Sequence, residues 1–367
     1  YQLVEESADT STDEDPSKAI ERAEQALYSV AATGNAPETV SLGSALKGVV
    51  DQSMAAWRDG GKAIGLSTGF VDLDKALGGG LKAGNLIIIA GRPSMGKSSL
   101  AVNIGFNIAD RRRKANLAKE HGQELKNTGG VVDFFSLEMS EEEIAGRILA
   151  TEAEIPLSEI NAGNFGNEAK AEHVVRVADR IVNTPFHIDA TGGISLARLA
   201  TRARRLKRRR GMDCLIIDYL QLMMGSAKNK DGRVQEITQI TMGLKALAKE
   251  LDIPIVALSQ LSRAVEQRSD KRPQLSDLRE SGSIEQDADV VMFCYREEYY
   301  VERAKPSEDD LTALGEWQKK LHSCEGKAEV ILGKQRHGST GTVQMAWTGH
   351  LTRFSDLARS DACQLLQ

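Results

Sequence analysis

Short apolar runs alternate with amphipathic, helix-forming stretches along most of the chain. The apolar runs are Leu86–Ala90, Val131–Leu137, Cys214–Asp218, Ile255–Ser259 and Val290–Tyr295. A strand that is apolar at nearly every position is buried on both faces, and parallel strands need a long crossover between them. The alternation therefore predicts an α/β fold in which a mostly parallel sheet carries helices on both faces.

The C-terminal part of the chain departs from this alternation. Two β-rich runs, Ala328–Gly333 and Thr342–Thr348, flank a turn region that contains Gly338 and Gly341. That pattern predicts an antiparallel hairpin added to the edge of the sheet. Two polar, charged stretches are predicted to be insertions on the surface, namely Arg111–Gly130 and Val301–Gly326.

The N-terminal part is predicted to be separate from the sheet. An acidic, polar tail from Tyr1 to Asp15 has little to bury and is expected to be flexible. Asp15 as N-cap and Pro16 at the first helical position begin an amphipathic helix, which either packs on its own domain or docks on a neighbouring subunit as a linker. We expect three parts, which are a tail and linker helix (1–35), a helical lead-in containing Leu42–Trp57 (36–66) and one large α/β domain (67–367).

Composition narrows the class of protein. The net charge of −5 over 367 residues argues against a globally basic protein that coats DNA, although a channel could still collect a few basic groups. No CxxC pair or metal-ligand spacing occurs among Cys214, Cys294, Cys324 and Cys363, which predicts a cytoplasmic protein without disulfides or zinc. No apolar run has the length of a membrane span, so no membrane partner is expected. The chain begins with Tyr1 rather than Met, which suggests that further residues precede it.

A phosphate-binding loop follows the first apolar run. The segment Gly91–Ser98 reads GRPSMGKS and matches the pattern GxxxxGK[ST] at every fixed position. Its backbone N–H groups can surround phosphate oxygens, Lys97 adds a charge for the β- and γ-phosphates, and the Ser98 hydroxyl can bind Mg²⁺. A helix from Ser99 to Ile108 would direct its positive end at the same anion. The predicted nucleotide contacts are Gly91, Ser94, Met95, Gly96, Lys97, Ser98 and Ser99.

Three other strand ends carry groups that ATP hydrolysis needs. Asp218 ends an apolar strand and could hold the water shell of Mg²⁺, or it could cap the next turn. Glu138 follows the strand Val131–Leu137 and could orient or deprotonate the attacking water. Arg147, nine residues further on, is either within reach of the γ-phosphate or a solvated helix arginine. Gln260 could hydrogen-bond the γ-phosphate and change partner when it leaves.

With these residues in place, the chain resembles the C-terminal RecA-like motor of a DnaB-type replicative DNA helicase, from the linker helix to about Leu357. The phosphate-binding loop is generic, but three of the other motifs are together much more specific: FSLEM, SDLRESGSIEQDAD and KQRxGxxG. The resemblance rests on Ser67–Lys75, Gly91–Leu100, Phe135–Met139, Asp218–Met223, Ala257–Arg263, Ser276–Ala288 and Lys334–Gly341. It implies a homohexameric ring that hydrolyses Mg²⁺–ATP, moves along single-stranded DNA and unwinds the duplex.

The resemblance also implies roles for single residues. Glu138 would be the catalytic carboxylate, Asp218 the acid on the magnesium side and Gln260 the sensor of the γ-phosphate. Lys334 and Arg336 would reach into the ATP site of the neighbouring subunit. They stand two residues apart in a predicted strand and therefore on one face, although a basic pair can also serve to block pairing at an exposed sheet edge.

For DNA, the resemblance points to two loops without aromatic residues. Binding there would be directed at the backbone and sensitive to salt, and the alternative is that both are flexible surface loops. The predicted contacts are Arg279, Glu280 and Gly282 in the first loop, and Lys228, Lys230 and Arg233 in the second. The basic run Arg202–Arg210 is interpreted as an exposed helix face rather than a nucleic-acid site.

The remaining partners and the rival interpretations follow from the same likeness. The family usually carries an N-terminal domain that binds primase, so primase and a helicase loader are expected partners of the full-length protein. A RecA-type recombinase or repair ATPase shares the fold, but it does not predict the hairpin motif KQRHGSTG. A small-molecule kinase would need an acceptor pocket and lid, for which no segment is found. A non-catalytic ATPase clamp is disfavoured by the intact set of Lys97, Glu138 and Asp218.

Overall fold

One sheet organises the described part of the chain. The computed structural model describes residues 41–58, 65–123, 125, 128–223, 232–278, 282–307 and 309–357. Within these ranges the strands are β1 (Leu86–Gly91), β2 (Val132–Ser136), β3 (Phe186–Asp189), β4 (Cys214–Asp218), β5 (Ile255–Gln260), β6 (Val290–Tyr295), β7 (Lys327–Gln335), β8 (Gly341–Thr348) and β9 (Arg353–Asp356). Their order across the sheet is β3-β2-β4-β5-β1-β6-β7-β8-β9.

The sheet has a parallel and an antiparallel part. The six strands from β3 to β6 in this order are parallel, and β7, β8 and β9 continue the sheet as antiparallel neighbours. The predicted α/β class, the mostly parallel sheet and the C-terminal hairpin are thus confirmed. The strands β3 and β9 were not predicted, because each has four residues, contains charged side chains and is only partly buried.

The described ranges contain eleven α-helices, and helices from this set cover both faces of the sheet, as predicted. They are α1 (Leu42–Arg58), α2 (Val71–Ala76), α3 (Lys97–Glu120), α4 (Glu141–Ala153), α5 (Leu157–Ala162), α6 (Glu168–Ile181), α7 (Leu196–Arg210), α8 (Gly232–Leu251), α9 (Gly282–Asp287), α10 (Glu297–Arg303) and α11 (Leu311–Cys324). Ile87 and Ile89 of β1 face the core formed with α2, α3 and α4. Leu86 and Ile88 face the opposite core, formed with α7 and α8. The alternation within β1 therefore separates two apolar layers.

The two predicted insertions have different structures. Residues from Arg111 to Glu120 continue the helix that starts at Lys97, so half of the first stretch is an extension of α3 rather than a separate excursion. The run RRRKANLAKE is charged, but its residues are good helix formers, which explains the longer helix. The second stretch is helical, as its composition suggested, and the Trp317 indole N–H donates to the Val301 carbonyl at 2.6 Å, which joins α11 to α10.

The helix α1 confirms the predicted helical stretch Leu42–Trp57. The tail and the linker helix predicted at 1–35 lie outside the described residues. Every side chain of α1 that the structure describes is exposed, including a row of apolar residues that are 44% to 74% exposed, namely Leu42, Leu46, Val49, Val50, Met54 and Trp57. Their spacing places them on one face of the helix. In the described ranges, no helix combines the length and apolar character that crossing a membrane would require.

A hydrogen-bonded turn fixes the segment Ser67–Lys75 beside α3. The Asp74 carboxylate accepts hydrogen bonds from the Thr68 N–H at 2.8 Å, the Thr68 hydroxyl at 2.7 Å and the Ser67 hydroxyl. Ser67 and Thr68 are buried, and the Thr68 carbonyl accepts from the Asn107 amide at 3.1 Å. This motif therefore supports α3, which begins at the phosphate-binding loop.

We predict that Asp74→Ala lowers the free energy of unfolding by about 2 kcal/mol, since it leaves a buried N–H and two buried hydroxyls without their acceptor. Urea denaturation of the nucleotide-free protein measures the change. Asp72→Ala, on the same helix, serves as the control because Asp72 pairs with the exposed Lys75 at 3.5 Å. It should cost less than about 0.5 kcal/mol. Equal losses for both variants would contradict this account of the turn.

Candidate active site

The phosphate-binding loop curls tightly between β1 and α3. Gly96 has φ of 90° and Ser94 has φ of 66°, both in the left-handed region. A Cβ atom on Gly96 would lie 2.9 Å from the ring of Phe354, so a larger residue would meet both backbone strain and a clash. Glycine at this position thus lets the loop close over the first turn of α3.

A cavity of about 420 Å³ opens over this loop. It brings together most of the predicted nucleotide and catalytic residues, and four residues that were not predicted also line it. The predicted residues in its wall are Ser94, Gly96, Lys97, Ser98, Ser99, Glu138, Arg147 and Gln260. The additional ones are Pro93, Tyr219, Trp347 and Thr352.

Three predicted residues lie behind the cavity wall. Gly91 packs beneath Lys97, since a Cβ there would be 3.1 Å from the Lys97 Cγ. The Met95 side chain is 2% exposed and belongs to the core, and its backbone N–H donates to the Arg92 carbonyl at 3.3 Å. Asp218 is 1% exposed and lies behind the loop. Gly91 and Met95 thus shape the loop, and no Met95 side-chain contact with a nucleotide is supported.

Local hydrogen bonds place Glu138 and Arg147. The Leu137 N–H donates to the Asp218 carbonyl at 2.7 Å, and the Ser136 hydroxyl closes a turn by donating to the Met139 carbonyl at 2.7 Å. Ser140 then caps α4, the helix that carries Arg147. Glu138 therefore lies on a turn that is tied to the end of β4, and Arg147 faces the same cavity.

Burial works against the charges of this site. It lowers the pKa of Lys97, an effect that the charges of Asp218 and Glu138 oppose. Burial likewise raises the pKa of Asp218, and it lowers the pKa of Arg147, whose charge is stabilised by Asp218 and Glu138. Of the two interpretations of Arg147, the location favours a residue of the site over a solvated helix arginine.

The residues around Asp218 fit a magnesium ion. Both Asp218 carboxylate oxygens are buried and lack a hydrogen-bond partner among the described residues. The neighbouring Ser98 hydroxyl and Lys97 partly offset the effect of burial on the pKa of Asp218. Hard oxygen donors of this kind suit Mg²⁺, which retains several of its waters when bound.

Gln260 is held by a side chain that the sequence did not single out. The Gln221 carbonyl oxygen accepts from the Gln260 N–H at 3.2 Å, and the Gln221 amide donates to the Ser259 hydroxyl at 3.0 Å. On the other side, Arg92 donates to the Leu261 carbonyl at 3.0 Å and pairs with Glu266 at 2.9 Å. The end of β5 is thus tied both to the turn after β4 and to the phosphate-binding loop.

Lys334 and Arg336 lie at the opposite end of the sheet from this cavity. Lys334 pairs with Val291 near the start of β6, whereas the phosphate-binding loop follows the end of the parallel neighbour β1. Five or six residues of strand separate these edges by about 17–20 Å. Arg336 follows the last residue of β7 rather than lying inside the strand. Neither residue lines the cavity of its own chain.

With the geometry described, the comparisons with known proteins identify the family. Residues 65–356 match the DnaB-like helicase C-terminal domain. The replicative DNA helicase DnaB of Rickettsia conorii is 42% identical over 357 residues, which is 97% of this chain and 70% of that protein. The replicative DNA helicase DnaC of Bacillus subtilis is 36% identical, over 93% of this chain and 67% of its own length. The chain belongs to the DnaB-like helicase family.

Solved structures agree with this assignment. One of them, described as an ATPase domain, superposes with a TM-score of 0.73 at 35% identity, covering 88% of this chain and 100% of that one. A DnaB-like replicative helicase, described with its interactions with primase, gives a TM-score of 0.70 at 33% identity, covering 97% of this chain and 74% of that one. The predictions of a RecA-like core and of an ATP-dependent DNA helicase are thereby confirmed.

The predicted DNA contacts of this DnaB-like chain fall largely outside the described residues. This holds for Arg279, Glu280, Lys228 and Lys230. Gly282 is the first residue of α9, and only the backbone of Arg233 is described, in the first turn of α8. Their DNA contacts remain predictions.

The basic run on α7 is partly used within the fold. Arg202 pairs with Asp189 at 2.8 Å, Arg204 pairs with Glu250 at 2.7 Å, and Arg210 pairs with Asp133. These contacts fit the interpretation of Arg202–Arg210 as a structural helix face.

An arginine and a tryptophan at the cavity mouth were missed. The guanidinium of Arg296 lies over the Trp347 ring, 4.8 Å from its centre, and also donates to the Ser94 carbonyl at 3.2 Å. Trp347 lies at the end of β8, next to Phe354 of β9. Only the hairpin prediction could have suggested a role for Trp347, because it is about 250 residues from the loop it covers.

We predict that Trp347→Ala raises the KM for ATP about tenfold, because the ring forms part of the cavity wall and holds Arg296 beside the phosphate-binding loop. Steady-state ATPase kinetics measure KM and kcat separately. Trp347→Phe keeps a ring and should stay near the wild-type KM. A fall in kcat alone, with KM unchanged, would contradict this role for the ring.

Proposed function

We propose that this chain is the motor of a ring-forming replicative DNA helicase, which hydrolyses ATP between adjacent copies and so moves along single-stranded DNA. The observation that carries the proposal is the separation of two sets of groups. The cavity gathers Lys97, Ser98, Glu138 and Gln260, while the cations Lys334 and Arg336 lie at the far edge of the sheet. A protomer therefore holds the nucleotide with one edge and can offer cations with the other.

Binding of ATP follows from the shape and charge of the cavity. The loop from Gly91 to Ser98 would surround the phosphates with backbone N–H groups, and Lys97 would lie against the β- and γ-phosphates. Ser98 and Asp218 would hold Mg²⁺, which neutralises phosphate charge when bound. The bound phosphates would also relieve the unfavourable burial of Lys97.

Hydrolysis is assigned to Glu138. It lies on the rigid turn after β2 at the cavity wall, where its carboxylate can orient a water molecule and accept its proton. Arg147 and Gln260 lie in the same wall, where they can contact the γ-phosphate. In this proposal Gln260 carries the change on phosphate release into the segment that follows β5.

Assembly would complete each site. An arginine supplied by a neighbour stabilises the charge of the transition state, and Arg336 has the location for such a role. The apolar face of α1 is exposed along its length, and we assign its docking site to a second copy of the chain. In this proposal residues 36–66 form an assembly segment and residues 67–367 the motor domain, arranged as a homohexamer.

The partners follow from the family and remain part of the proposal. Single-stranded DNA would contact the backbone and side chains of the loops after β4 and β5, including Arg233 and Gly282. A primase and a helicase loader would act on the full-length protein. A RecA-type recombinase or repair ATPase is the alternative, and DNA strand exchange without unwinding would favour it.

We predict that Glu138→Gln lowers kcat for ATP hydrolysis by about 10²–10⁴-fold while ATP still binds, because the amide cannot accept a proton from water. A coupled-enzyme assay with single-stranded DNA measures kcat, and equilibrium binding of a fluorescent ATP analogue measures affinity. Glu141→Gln, on the exposed first turn of α4, is the matched control. If the Glu138→Gln protein kept its ATPase activity, the general base would have to be a residue other than Glu138.

We predict that two inactive variants restore each other when mixed. The Arg336→Ala chain keeps an intact phosphate-binding loop, and the Lys97→Ala chain keeps Arg336, the arginine finger that would reach the neighbouring site. An interface between the two variants can therefore hold one intact site. In a random one-to-one ring about one quarter of the interfaces would be intact. DNA-stimulated ATPase of the mixture measures this recovery. If each site belonged to a single chain, the mixture would stay inactive and the proposed function would fail.

A further inference from the structure

The two cations assigned to the neighbouring site are not free in their own protomer. The Lys334 ammonium donates to the carbonyls of Glu285 and, at 3.3 Å, Gln286. The Arg336 guanidinium donates to the same Gln286 carbonyl at 2.9 Å. Both side chains thus converge on the last turn of α9.

These contacts satisfy an electrostatic need of α9. The last carbonyls of a helix have no N–H partner within the helix and carry partial negative charge, so cations bind there favourably. The Ala288 N–H still bonds to the Ile284 carbonyl at 3.1 Å, and the next two carbonyls are the ones that Lys334 and Arg336 take. Removing both cations would leave the end of α9 to water.

Asp289 fixes where the arginine can sit. Its side chain is 3% exposed and accepts from the Leu86 N–H at 2.8 Å and from the Lys245 ammonium at 2.5 Å. The Asp289 carboxylate also lies 3.6 Å from the Arg336 guanidinium, and its carbonyl accepts from the Arg336 N–H at 2.8 Å. Asp289, whose buried carboxylate is anchored to β1 and α8, therefore holds the Arg336 backbone through its carbonyl and the Arg336 side chain through its carboxylate.

We propose that Asp289 and the end of α9 are positioning groups, which hold Lys334 and Arg336 in a docked state that competes with the ATP of the neighbouring subunit. The inference rests on the proposed function, since it concerns the same two cations. The contacts with α9 direct the Lys334 ammonium and the Arg336 guanidinium at carbonyls of their own protomer. Engagement of the neighbour's ATP would turn these groups away from the end of α9, and a tighter α9 would weaken that engagement.

The helix α9 connects the docked cations to one of the predicted DNA contacts. α9 has six residues and begins at Gly282, one of the residues predicted to contact DNA. Asp287 also ties it to α8, since its carboxylate accepts from the Thr241 hydroxyl at 2.7 Å. Nucleotide state in one subunit and order at Gly282 in the next are thus linked by reciprocal coupling.

Hydrogen exchange of the amides 282–289 tests the docked state in the assembled protein. In the presence of Mg²⁺ and single-stranded DNA, we expect these amides to exchange about fivefold faster with a non-hydrolysable ATP analogue than with ADP. The doubly substituted Lys334→Ala, Arg336→Ala protein should exchange fast in both nucleotides. Thr241→Val is the matched control, because it loosens α9 without touching the cations and should keep the nucleotide effect. Slower exchange with the analogue, or no change in the double variant, would overturn the proposal.

Asp289→Asn provides a second test that does not remove either cation. The amide can still accept from the Leu86 N–H, but it loses the charge that attracts Arg336. We expect DNA-independent ATPase to rise about threefold and stimulation by DNA to shrink, since the cations leave the docked state more readily. A residue that acted only in folding would lower the activity along with the unfolding midpoint, and that result would refute the positioning role.

The two proposals can fail separately. If the mixture of Arg336→Ala and Lys97→Ala recovers ATPase activity but hydrogen exchange at α9 does not depend on the nucleotide, the docked state is refuted. The proposal that Arg336 acts in the neighbour's site is then unaffected. If the mixture stays inactive, the finger itself is wrong, and the docked state falls with it.

Discussion

Burial of opposite charges at the carboxyl edge of the parallel sheet is the constraint on which the rest of the structure depends. Asp218 is buried and Lys97 is half-buried, and burial shifts the pKa of each in the direction that favours its neutral form. The charges of Asp218 and Glu138 oppose the shift in the pKa of Lys97. Lys97 and Arg147 oppose the shift in the pKa of Asp218, whereas the Glu138 carboxylate adds to it. Such a site gains most when an anion and a cation enter together, as a nucleotide with its metal does. Burying charged groups destabilises the folded state, and the two apolar layers that pack on the same strands offset this loss of stability.

The order of strands decides which groups meet at that edge. Parallel strands end on the same side, so adjacency of β4, β5 and β1 brings Asp218, Gln260 and Gly91 together across about 170 residues of sequence. Successive antiparallel strands, in contrast, end at opposite edges of the sheet. β7 leads Lys334 to the far edge, and β8 returns with Trp347 to the cavity mouth. One hairpin thus serves the protomer's own site with one strand and can serve a neighbour's with the other.

Much of this could be predicted from residues near one another in sequence. The phosphate-binding loop, the apolar strands and the strand-end residues Glu138, Asp218 and Gln260 have local patterns, and the structure places these three at or behind one cavity. Trp347 and Gln221 could not be found in this way, because their contacts depend on register and on side-chain direction across strands. Strand β3 was not predicted because its four half-buried residues at the edge of the sheet show no clear alternation of apolar and polar positions. The length of α3 was missed because charge was taken as a sign of a loop, although charged residues also form helices.

Two separate features of a protomer fit the same kind of partner. One edge holds a nucleotide cavity without Lys334 or Arg336 in its wall, and the other edge carries these two cations, which contact the end of α9. Because the two patches differ, the proposed contact between copies would be heterologous, and such contacts either close into rings or extend as filaments. In the proposed assembly the exposed apolar face of α1 would add a hydrophobic contact that does not depend on nucleotide. A ring joined partly by α1 could then open and close its ATP interfaces in turn without dissociating, which is what a motor that stays on its strand requires.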